Sequence, residues 1–85
     1  MSNFNTFIDL MYSMRDKKML EDFLIGVTTE KERRELTKRV EIVKRLLAGQ
    51  PQHKIASDLG VGIATVTRGS KEVARHRFKA LRVQS

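Results

Sequence analysis

Few side chains in this 85-residue sequence could do covalent or metal chemistry. His53 and His76 do not stand at metal-ligand spacing, and no acidic cluster accompanies either, so a solvated or phosphate-facing imidazole is the plain reading. Ser57 and Ser70 have no neighbouring histidine base, which leaves a catalytic triad without support. Gly60-Val61-Gly62 is too short for a dinucleotide fingerprint, which would want glycine at Thr65 after a strand. The absence of cysteine excludes a thiolate zinc site and a disulfide-stapled secreted domain. No catalytic residue and no metal ligand is assigned, and the chain is read as a non-enzyme that requires no cofactor. The chemistry that remains is electrostatic. Seventeen Lys and Arg stand against ten Asp and Glu, a net charge of +7 that suits a polyanion or an anionic membrane. Residues 50–85 carry seven basic and two acidic groups, whereas residues 1–27 carry three and four. A polyanion-binding surface is therefore expected from the second half, with the first half left for burial or assembly.

That second half contains one informative spacing. With Gln52 as the first position of a helix-turn-helix unit, Ile55, Leu59, Val61 and Val66 are apolar where two crossing helices must pack. Ala56 is small where the second helix crosses, and Gly60 lies where the chain turns and a positive φ is wanted. The alternative is an αα-hairpin that packs and recognises nothing. The unit predicts that Gly62, Ile63, Ala64, Thr67, Arg68 and Lys71 face the major groove of double-stranded DNA, while Gln52, His53 and Thr65 lie near phosphates. Ile63 and Ala64 can touch a thymine methyl but cannot donate hydrogen bonds, so direct readout should be sparse. Thr67 and Arg68 are the polar candidates, and water or DNA shape would supply the rest.

The elements that must carry this unit are helical. Phe4, Phe7, Ile8, Met11 and Met14 share one face of a helix from about Ser2 to Met14. Asp16 can cap a second helix bearing Met19, Leu20, Phe23 and Leu24, with Gly26 as its stop. Thr29 and Glu32 match a capping box, so a third helix should start at Glu30 and reach Gly49, about 28 Å in length. Its apolar stripe is broad for so small a chain, which points to a partner subunit. Pro51 fits the first position of a fourth helix that ends at Gly60. Ile63-Ala64-Thr65-Val66-Thr67 alternates and is rich in β-branched residues, as a strand would be. With no other strand to pair, a weak helix is the expectation. Val73, Ala74, Phe78 and Leu81 outline a last, basic helix. The division is a single domain over 1–85: helices for dimerisation over 1–49, the helix-turn-helix over 50–71 and a basic C-terminal helix over 72–85. No apolar run approaches the roughly 20 residues of a membrane span, and the N-terminus lacks a signal-peptide pattern, so the expected location is cytoplasmic, with no membrane partner.

The run Leu59-Gly60-Val61-Gly62-Ile63-Ala64-Thr65-Val66-Thr67-Arg68-Gly69-Ser70, read with Arg39-Val40-Glu41-Ile42-Val43 and Leu46-Leu47-Ala48-Gly49, closely resembles the bacterial tryptophan repressor family. The resemblance covers Thr29 to Ser70, about half of the chain. It implies an all-α, intertwined homodimer whose N-terminal helices interlock and whose reading heads enter successive major grooves. It also implies a corepressor pocket in which an indole lies between two arginines, one of which holds the ligand carboxylate. The matching residues are Arg39 and Arg68, with Thr29, Thr65 and Gly69 completing the similar positions. Guanidinium planes suit both tasks. Where the family has a small serine for the ligand ammonium, this chain has Glu72, which could pair with an ammonium or neutralise Arg68 or Arg39. The segment supplied by the other subunit contains Gly26 and Thr28 in place of leucines, and the Gly49-Gln50-Pro51 turn is one residue shorter.

The resulting expectation is a homodimeric, sequence-specific DNA-binding repressor acting on a palindromic operator, with L-tryptophan or a related small molecule as corepressor. A ligand-independent DNA-binding regulator is the nearest alternative. A helical interaction module, and a basic amphipathic protein docking on membrane through residues 71–83, are the rivals from other classes.

Overall fold

The computed structural model describes residues 3–83, which form six helices and no strand. The helices are α1 (Phe4–Ser13), α2 (Lys17–Val27), α3 (Glu30–Leu47), α4 (Gln52–Leu59), α5 (Ile63–Ala74) and α6 (Lys79–Val83). Contacts group into two compact units, residues 1–33 and 34–85.

In the first unit each helix start is closed by a side chain. Asn3 Oδ1 accepts from the Thr6 N–H at 3.0 Å, and Asp16 Oδ1 accepts from the Lys18 N–H at 2.9 Å, so orphan donors of α1 and α2 are satisfied. The Phe7 and Phe23 rings lie 5.9 Å apart and join α1 to α2. Gly26 is not the stop expected for α2, which continues through Val27. The reason lies further along the chain. Arg33 Nη1 donates to Ile25 O at 3.0 Å and to Thr28 O at 2.8 Å, so a guanidinium caps carbonyls at the end of α2 and no left-handed glycine is needed. Phe4 is 73% exposed and Tyr12 90%, and neither α1 nor α2 has a buried residue.

The capping box at the start of α3 is formed. The Thr29 N–H donates to Glu32 Oε1 at 2.8 Å and the Glu32 N–H to Thr29 Oγ1 at 3.1 Å. The Thr29 N–H, with a smaller contribution from the Thr29 hydroxyl, holds the Glu32 carboxyl below its ordinary pKa. The helix ends at Leu47, two residues before the expected Gly49, because the chain already reverses there. Gly49 has φ +86°, and the Gln50 N–H reaches back to Arg45 O at 3.1 Å.

In the second unit α4 and α5 cross in a helix-turn-helix. Pro51 is the N-cap of α4 and not its first helical residue, with φ −65° and ψ 144° and its carbonyl accepting from the Ile55 N–H. Gly60 takes the left-handed conformation, φ 65° and ψ 38°, which a β-carbon would disfavour. The β-branched run is helical, as the lack of a pairing strand requires. Val66 is fully buried with Ile42 of α3 and Ile55 of α4, packed around by Leu46, Ala56, Leu59 and Val61. Burial of Val66 outweighs the local preference for strand. Arg45 of α3 also pairs with Asp58 of α4 at 3.4 Å.

The last helix differs from expectation. α5 runs on through Ala74, and the chain then breaks at His76 and Phe78, both left-handed with φ 62° and 64°, before the five-residue α6. Arg82 closes this break by donating to Val73 O at 2.6 Å and Arg77 O at 3.2 Å. Val73 and Ala74 therefore belong to α5, and the continuous basic helix expected over 72–85 is absent from the described residues.

Candidate nucleic-acid interface

A turn of three residues, Gly60 to Gly62, leads into the exposed start of α5. Gly62, Ile63, Ala64, Thr65, Arg68 and Lys71 are exposed, and His53 is exposed at the start of α4. Gln52 and Thr67 are half-buried because they bond to each other. The Thr67 hydroxyl donates to Gln52 Oε1 at 2.9 Å. The proton expected for a base edge is thus already used. Lys71 in the last turn of α5, and Arg75, Arg77 and Lys79 beyond it, add exposed positive charge.

α5 has a second wall. Between α3 and α5 lies a cavity of about 500 Å³, with Arg39 among its α3 lining and Thr65, Arg68, Gly69 and Glu72 among its α5 lining. Five of the six residues suggested for ligand binding are thereby brought to one cavity. Thr29 is not among them, since its hydroxyl accepts from the Glu32 N–H and its role is the start of α3. Ala64, expected only at DNA, lines this cavity too. Leu36, Val40, Val43 and Phe78 supply apolar lining that motif spacing did not single out. For Phe78 no local signal existed, because the break in the chain that brings it there lacks glycine and proline.

The electrostatics of the cavity are asymmetric. Among the described residues neither Arg39 nor Arg68 has a hydrogen-bond or ion-pair partner, so two guanidinium groups meet an otherwise largely apolar space. Glu72 does not neutralise either of them. Its Oε1 accepts from Arg75 Nη1 at 2.9 Å and its Oε2 lies 3.8 Å from Arg77 Nε. Such a space favours an anionic group on an apolar body. Among the described residues no group of three or more His, Asp or Glu could hold a metal ion, and no helix is long and apolar enough to cross a membrane.

The family model of the Trp repressor protein matches residues 2–80 of this sequence. The chain belongs to the Trp repressor family. Proteins named Trp operon repressor homolog are similar to it over most of its length. The one from Vibrio campbellii is 45% identical over 67 residues, covering 78% of this chain and 67% of the relative. That from Vibrio cholerae is 41% identical over 73 residues, covering 85% and 71%, and that from Chlamydia trachomatis 36% over 70 residues, covering 81% and 74%. The chain thus spans about two thirds of the length of the Vibrio relatives. Membership of the Trp repressor family makes this an all-helical, DNA-binding, repressor-like regulator, and its helix-turn-helix is α4 and α5.

Proposed function

We propose that the protein represses transcription as a homodimer on a palindromic operator, with the two α5 helices in major grooves about 34 Å apart. Residues 1–49 serve dimerisation, Gln52 to Lys71 reads the groove, and the basic residues after Lys71 hold phosphates. The exposed apolar side chains of α1 and α2, Phe4, Ile8, Tyr12, Met19 and Ile25 among them, support burial against a second copy.

The observation that carries the regulatory part is the shared helix. α5 offers Gly62, Ile63, Thr67 and Lys71 to DNA and Gly69 and Glu72 to the cavity, while Ala64, Thr65 and Arg68 belong to both. A ligand wedged against α3 therefore sets the angle at which α5 meets the groove. L-tryptophan, or a related molecule with a carboxylate and a flat apolar body, fits the free guanidinium groups of Arg39 and Arg68 and the apolar lining. Selection of duplexes from a random pool with and without L-tryptophan tests the whole reading. Enrichment of a two-fold symmetric sequence that strengthens with tryptophan is expected. No enrichment removes the operator, and calorimetry without heat removes the corepressor.

The retained pairing of Glu72 with Arg75 favours one second reading, a regulator that binds DNA without any ligand. Equal enrichment in both arms of the selection would select it.

A further inference from the structure

Glu72 lines the cavity and at the same time holds the two arginines that begin the basic C-terminal segment. Arg75 and Arg77 are otherwise open to solvent, with side chains 70% and 73% exposed, whereas Glu72 is 34% exposed. A guanidinium paired to a carboxylate is a poor partner for a phosphate, because the anion would have to approach a second negative charge. We propose that Glu72 is an internal competitor of DNA: it restrains Arg75 and Arg77 from the phosphate backbone until an ammonium group entering the cavity takes their place on its carboxylate.

The inference rests on the DNA-binding and ligand-binding reading above and adds the coupling between the two. A ligand carrying both a carboxylate and an ammonium would engage the free arginines Arg39 and Arg68 with one end and Glu72 with the other. Release of Arg75 and Arg77 then adds phosphate contacts. By linkage, DNA that captures those arginines leaves Glu72 unpaired and strengthens binding of the amine. A ligand with the carboxylate but no ammonium fills the cavity and leaves the pairs intact.

The test is the salt dependence of duplex binding, whose slope on a log-log plot changes by about 0.9 for each phosphate contact. Glu72→Gln keeps the shape of the side chain and should steepen the slope of the ligand-free protein by about two contacts. In an R75A/R77A background the same change should leave the slope where it was. An equal effect of E72Q in both backgrounds means that simple loss of negative charge is responsible and overturns the proposal, as does no effect in either. L-tryptophan should steepen the slope of the parent protein, indole-3-propionate should not, and neither should alter E72Q. Identical slopes with the two ligands, both shown to bind by calorimetry, overturn the ligand arm. Random-sequence duplex suffices for the slopes, so failure to find an operator sinks the proposed repressor while the mutant cycle still decides the competition. Thermal melts of the variants confirm that the fold is kept.

Discussion

The Thr67 hydroxyl donates to Gln52 Oε1 at 2.9 Å, tying α5 to the first residue of α4. With its proton committed, Thr67 in the proposed interface would meet a base as an acceptor, which suits the amino group of adenine or cytosine. Gln52, its carbonyl occupied, would have its amide donors left for the DNA backbone in that interface.

Thr67→Ala should therefore relax sequence preference, because it removes a base-facing acceptor and frees Gln52. Lys79→Ala should weaken all duplexes alike and lower the salt slope by about 0.9. Binding measured on an operator and its single-base variants separates the two. If both mutants lose affinity uniformly, the division between groove-facing and phosphate-facing residues is wrong.

The capping box makes stability depend on pH. The folded Glu32 carboxyl titrates below its unfolded value, so the contribution is complete above the unfolded glutamate range and disappears as pH falls through the lower folded value. Thr29→Ala removes the hydroxyl that caps α3, at a cost on the order of 1 kcal/mol at neutral pH, whereas Glu32→Gln, which removes the carboxyl that the Thr29 N–H holds, should flatten the acid limb of the stability curve. Denaturation followed at neutral and acid pH checks both. An unchanged acid limb in the Glu32→Gln variant would place the linkage elsewhere.

Gly69 lies inside α5 against α3, where an added β-carbon would meet Ile42 Cγ2 at 3.4 Å and Leu46 Cδ1 at 3.5 Å, ordinary contact distances. Gly69→Ala should raise the melting temperature, since alanine is favoured over glycine in a helix by about 1 kcal/mol. Gly69→Leu should lower it by overpacking. A drop for both variants would show that the helices approach more closely in solution.

The β-branched start of α5 should exchange its amide hydrogens quickly. Protection across residues 63–67 is expected to fall below that across residues 40–47 in the free protein, even though Val66 is buried. Equal protection would mean that packing of Val66 on Ile42 and Ile55 secures the whole first turn of α5.

Much of the molecule is legible in the residues because the deciding interactions are local. Thr29 and Glu32 stand three apart and cap α3, and Ile55, Leu59, Val61 and Val66 recur at the spacing that two crossing helices need. The end of α2 was not legible, since it depends on Arg33 reaching back to Ile25. Nor were the partners of Glu72. Its nearest cations by family likeness were Arg39 and Arg68, yet the break after Ala74 turns Arg75 and Arg77 toward it instead. That break itself has no glycine or proline to announce it, so the apolar pattern through Phe78 and Leu81 read as one unbroken helix.

Phe78 stands in a backbone conformation that glycine would adopt without steric penalty, and its side chain lines the cavity. The chain thus accepts local strain in exchange for a built-in gauge of the compartment. A ligand of the kind proposed would be sized against residue 78, which lies outside α5. Exchange at that one position could retune the choice of signal while the choice of operator stays as it is.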